Sequence, residues 1–99
     1  MKTFLSALLI TLLFASSPLL AGDVAAGKAK SVVCSACHGA DGTSVNPQWP
    51  NLKGQKEDYL IKQIKAFRDG TRKDPTMAPM VAGLTDADIA NLAAYYASQ

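Results

Sequence analysis

The chain has 99 residues, with 10 Lys and Arg against 8 Asp and Glu, one histidine and two cysteines. A formal charge of +2 is too small to favour nucleic acid, and no phosphate-cradling loop or dinucleotide fingerprint is present. The 48% apolar share overstates the core, because much of it falls in one N-terminal run.

Residues 1–21 have the pattern of an export signal. Lys2 supplies the positive start, Phe4 to Ala15 is almost wholly apolar, and Ser16-Ser17-Pro18 breaks the run before a small-residue exit at Ala21-Gly22. Leu19 is larger than the position three before a cleavage site prefers, so the cut is expected near Ala21. A retained membrane anchor is the alternative. A spanning helix needs roughly 20 apolar residues, and the Ser-Ser-Pro break argues against one. Removal of the leader leaves residues 22–99 as one periplasmic domain of charge +1, without a membrane span. So short a domain usually needs a staple.

Asp23 is the expected N-cap of a helix running to Val33. Ala25, Ala26, Ala29, Val32 and Val33 supply its apolar positions, with Lys28 and Lys30 outward. Gly27 inside a helix costs about 1 kcal/mol relative to Ala. A close crossing by another helix would account for it; so would a neutral accident.

Cys34-Ser35-Ala36-Cys37-His38 follows, the C-x-x-C-H pattern to which c-type haem is attached. On a helix, positions three and four apart share a face, so both thiols and the imidazole point one way. Cys34 and Cys37 can then form thioethers with the two vinyl groups of one haem edge, and His38 offers a neutral axial nitrogen. Its other ring nitrogen should donate to a backbone carbonyl, for which Pro50 is the candidate. Competing uses of the cysteines fare worse. A disulfide across two intervening residues would constrain almost nothing. A structural zinc site wants four ligands, and a thioredoxin-like role wants a βαβ setting that is not found.

Gly39 to Gly42 reads as turns, and Thr43 to Lys53, holding Pro47 and Pro50, as an irregular loop along one side of the cofactor. Trp49 packs either near the haem or as an ordinary aromatic. Gln55 to Asp69 is an amphipathic helix with Leu60, Ile61, Ile64 and Phe67 as its buried stripe, stopped by Gly70. Lys56, Lys62, Lys65, Arg68, Arg72 and Lys73 make this the most basic region, either a solvated face or a docking surface for acidic partners. Asp74 to Gly83, with Pro75 and Pro79, is a second irregular loop that can cross the other haem face. It carries Met77 and Met80, and without a second histidine a methionine thioether is the best candidate for the sixth iron ligand. Thr85 caps the last helix with Asp88 at the capping-box position, and Ile89, Leu92, Ala93 and Tyr96 have helical spacing. No strand alternation, repeat or second domain is found. The expected fold is all-α, three to four helices wrapped around one covalently bound haem.

Taken together these residues resemble the class I cytochromes c, especially the small bacterial group that includes cytochrome c553 and the domains of dihaem cytochrome c4. The resemblance runs from Asp23 and Gly27 through Cys34 to Gly39 and then Pro50-Asn51-Leu52-Lys53-Gly54-Gln55. It continues in Tyr59-Leu60, Met77-Ala78-Pro79-Met80, Gly83-Leu84-Thr85-Asp86 and Leu92-Ala93-Ala94-Tyr95-Tyr96. In that family the distal methionine stands seven residues before the leucine opening the last helix, which implies Met77 as ligand; Met80 departs from the pattern and stays the alternative. The resemblance also implies the Pro50 carbonyl as partner of the proximal histidine, and a helix crossing near Gly27 and Tyr95. It implies a periplasmic, monomeric carrier that passes single electrons between redox partners without bond-making chemistry of its own. A haem subunit of a larger oxidoreductase is the alternative; a haem sensor or enzyme with an open distal position ranks behind both.

Overall fold

Asp23 sets where the first helix begins. The computed structural model describes residues 22–99, together with Thr3 and Ile10, so the export signal expected over residues 1–21 otherwise lies outside the described residues. Asp23 is extended (φ −88°, ψ 116°), and its side chain accepts from the Ala26 N–H at 3.1 Å, opening α1 (Val24–Lys30).

The helix expected over residues 23–33 is in fact two. The Ser31 hydroxyl donates to the Lys28 carbonyl at 2.7 Å, a side-chain-to-backbone bond of the kind that competes with the helix ladder. Beyond Ser31 a second helix, α2 (Val32–His38), carries the whole C-x-x-C-H stretch. Nor does α1 present the expected apolar face. Ala25, Ala26 and Ala29 are exposed, and Gly27 is its one buried residue. A Cβ on Gly27 would collide with the Asn91 carbonyl and the Tyr95 Cβ. The glycine therefore serves close approach.

The middle helix, α3, runs over Glu57–Asp69, two residues later than expected at its start. Gly70 closes it in the left-handed conformation (φ 83°), which a residue with a Cβ adopts at a cost. Leu60 is buried and joins Leu92, Ala93, Tyr95 and Tyr96 in the core, while Ile61 and Ile64 pack against that cluster half-buried.

A further correction concerns residues 74–83, expected to be irregular. They contain a short helix, α4 (Met77–Val81). Pro79 does not prevent it, because it sits in the first turn, where backbone N–H groups have no intrahelical partner to lose. Thr85 then caps α5 (Asp86–Ala97) with the expected reciprocal box: Thr85 Oγ1 accepts from the Asp88 N–H at 3.1 Å, and Asp88 accepts from the Thr85 N–H at 3.0 Å.

The architecture is all-α, with five helices among the described residues. α5 is its axis. α1 and α3 both pack on α5, and α4 packs on α3. Ile89, Leu92, Ala93 and Tyr96 are 2% exposed or less, so this one helix supplies most of the core. Burying a side chain the size of Ile89 or Leu92 contributes about 1.5–3 kcal/mol. Arg68 fastens the end of α3 to the start of α5, donating to the Leu84 carbonyl at 3.2 Å and to Asp86 at 2.7 Å. None of the described helices is long and apolar enough to cross a membrane.

Candidate functional site

Beside α5, the helices leave a cavity of about 650 Å³, walled by α2, the loop from Trp49 to Gln55, α3 and α4. That lies within the range of about 300–1,000 Å³ typical of ligand pockets. Its walls are mostly apolar, with Leu52, Leu60, Ile64, Phe67, Leu84 and Leu92 among them; Arg72 and Asp74 are the charged residues on it. Every sequence-predicted site residue lines this space: Cys34, Cys37, His38, Pro50, Met77 and Met80.

The proximal wall is the better fixed. His38 is 7% exposed, and its Nδ1 lies 2.8 Å from the Pro50 carbonyl oxygen. A carbonyl only accepts, so Nδ1 carries the proton and Nε2 keeps the lone pair a metal needs. Pro50 is held in turn by the loop around it. The Asn51 side chain accepts from the Ser44 N–H at 2.8 Å, and the Gly42 carbonyl accepts from the Leu52 and Lys53 N–H groups at 2.7 and 3.1 Å. Both ends of this loop are tied to adjacent residues of α5. The Tyr95 hydroxyl donates to the Ala40 carbonyl at 2.5 Å, and the Gly54 N–H donates to the Tyr96 carbonyl at 2.9 Å.

Cys34 and Cys37 form no disulfide with one another. Burial pushes the Cys34 pKa up, partly offset by the neighbouring Tyr96 hydroxyl. Tyr96 was legible in the sequence as a core residue, and it is 2% exposed. Its position on the cavity wall was not legible, nor that its buried hydroxyl finds no hydrogen-bond partner among the described residues. Burial, and then the proximity of Cys34, raise its pKa far above the ordinary tyrosine value.

The distal wall is α3 and α4. Met77 is half-buried, whereas Met80 is 49% exposed. Asp74, which sequence reasoning passed over, accepts from the Met77 N–H at 2.9 Å. Arg72 stacks on the Phe67 ring at 4.4 Å and donates to the Gln63 side chain at 2.7 Å, so it belongs to the cavity wall. The Asp74-Pro75-Thr76 turn chemistry could have pointed to the first; nothing local in the sequence pointed to the second. Val33, Tyr59 and Met80 are 54%, 47% and 49% exposed and all line the cavity, giving its mouth an apolar rim.

Two thiols and a correctly tautomerised imidazole on one helix, thioethers on another and apolar walls between them suit a covalently held haem. The family model for cytochrome c matches residues 24–99. Cytochrome c4 of Pseudomonas aeruginosa is 48% identical over 99 residues, covering 100% of this chain and 49% of that protein. Cytochrome c-554(548) of Halomonas halodenitrificans is 55% identical over 82 residues, covering 80% of this chain and 99% of that protein. The crystal structure of reduced cytochrome c4 from Pseudomonas stutzeri superposes with a TM-score of 0.76 at 43% identity, over 80% of this chain and 46% of that one. The chain thus spans about half the length of the cytochrome c4 relatives and nearly all of the Halomonas protein.

Proposed function

The chain belongs to the cytochrome c family and carries one covalently bound haem c, and from that premise we propose that it is a periplasmic single-electron carrier with iron ligated by His38 and Met77. Residues 1–21 direct export and are removed near Ala21. Cys34 and Cys37 hold the cofactor through thioethers. His38 ligates through Nε2, its ring fixed by the Pro50 carbonyl 2.8 Å from Nδ1.

Bound haem supplies a one-electron iron couple whose potential His/Met ligation raises. The apolar walls contributed by α3, α4 and α5 exclude water from it. With His38 and Met77 both holding the iron, the site would offer a substrate no place to bind, and the protein would transfer electrons without bond-making chemistry. The apolar rim of Val33, Tyr59 and Met80 leaves an edge through which an electron crosses at a small, transient contact. Lys56 and Lys62, exposed at either end of the first turns of α3, steer acidic redox partners toward a monomeric carrier.

One observation carries the ligand assignment: His38 and Met77 line the same cavity with Met77 half-buried, while Met80 turns about half its surface outward. The test is the methionine-to-iron charge-transfer band of the oxidised protein. Met77→Ala abolishes it and Met80→Ala leaves it; the reverse result would move the ligand to Met80.

A further inference from the structure

The distal wall has a fastener of its own. Asp74 Oδ1 accepts from the Thr76 N–H at 2.8 Å and from the Met77 N–H at 2.9 Å, while its backbone carbonyl accepts from the Ala78 N–H at 3.0 Å. One residue thereby takes three of the N–H groups around the start of α4, and Pro75, lying between, has none to offer. We infer that Asp74 is a positioning residue for Met77, holding the backbone of the distal ligand where its thioether reaches the iron; this rests on the ligation by Met77 proposed above.

The physical need is plain. α4 has five residues, far fewer than an isolated helix requires for stability. Val81, 3% exposed, anchors its far end, and the Leu84 N–H bonds back to the Val81 carbonyl at 3.1 Å. Met77 stands at the opposite end, which has no comparable apolar anchor, and Thr76, the residue before it, makes no side-chain capping bond. Asp74 supplies what that end lacks. Its carboxylate takes part in no salt bridge among the described residues, so its acceptor capacity goes to the backbone. Those donors, Met77 first and Thr76 next, hold its carboxyl below the usual carboxylate range.

The experiment uses the haem-loaded protein and reads the affinity of the oxidised form for added imidazole, which reaches the iron only when the methionine has left it. Loss of a cap of this kind raises the population of the open form about fivefold, so Asp74→Ala should bind imidazole about fivefold more tightly. Asp74→Asn keeps an equivalent acceptor and should bind as the unaltered protein does. Should Asp74→Ala fail to accumulate loaded, Asp74→Glu keeps the charge without the short-turn geometry and should tighten binding at least threefold. Unchanged imidazole affinity in the Ala or Glu variant would overturn the inference, even with a lowered denaturation midpoint. An Asn variant shifted as far as the Ala variant would do the same, since charge rather than capping would then be at work. Met77→Ala separates the two readings. If it keeps the charge-transfer band, the ligand assignment fails whatever Asp74 does; if it loses the band while Asp74→Ala binds imidazole normally, only the positioning role falls.

Discussion

The crossing of α1 over α5 and the loop that carries Pro50 both rest on the last helix, by opposite means. At the crossing, Gly27 brings backbone against the Asn91 carbonyl and the Tyr95 side chain, and the contact is one of shape. In the loop almost nothing is buried. It is held by discrete hydrogen bonds: Asn51 to Ser44, Gly42 to Leu52 and Lys53, Tyr95 to Ala40, and Tyr96 to Gly54. A shape contact spreads any disturbance through the fold, whereas a hydrogen-bonded loop fails one bond at a time. The backing of the two proposed ligands, Pro50 behind His38 and Asp74 beside Met77, is of the second kind, so it can be adjusted without unmaking the scaffold.

The difference can be broken by mutation. The largest effect is expected at Gly27→Val, where added carbons have no room and the whole domain should lose about 3 kcal/mol. Guanidinium unfolding would read this as a lower midpoint, with the charge-transfer band intact in molecules still folded. A loss under one-third of that would mean the crossing is not a tight contact. Asn51→Ala should act locally, costing about 1 kcal/mol at the Ser44 N–H. Amide exchange there should quicken about fivefold while the core amides of α5 keep their rates. A matching acceleration along α5 would show that loop and scaffold open together. The smallest effect concerns acid. The Thr85 N–H, and Lys30 at 3.6 Å, hold the Asp88 carboxyl below its ordinary range. A depressed carboxylate stabilises the fold above its unfolded value, about 3.9, and that contribution is lost as pH falls through the folded value. Asp88→Asn should therefore flatten the acid limb of the stability curve below about pH 4, with a small loss of stability at neutral pH that vanishes in acid, where the carboxyl is protonated in any case.

How far the sequence could be read follows the same division. Gly27 raised the question of a crossing, with a neutral accident left open and only the family resemblance implying the contact, whereas Thr85 with Asp88 announced a cap because their spacing is itself the mechanism. The C-x-x-C-H stretch announced its cofactor because the chemistry requires those residues at those intervals. What stayed hidden lacked periodicity or local chemistry. Ser31 divides the first helix through one hydroxyl bond, which no apolar pattern records. α4 is too short to show a helical repeat and depends on Asp74 and Val81 instead of on propensity. The stacking of Arg72 on Phe67 depends on how the chain turns after Gly70, so composition alone marked Arg72 as one more surface cation.

The paired ties from α5 to the Pro50 loop also govern when the molecule can close. Tyr95 follows Ala40 by 55 residues, so a ribosome finishes the thiol-bearing turn well before it makes the residue that clamps it. Until the C-terminal helix packs, neither tie is made and the Pro50 loop is unclamped. Closure of the proximal wall is thus a long-range event that waits on the last helix.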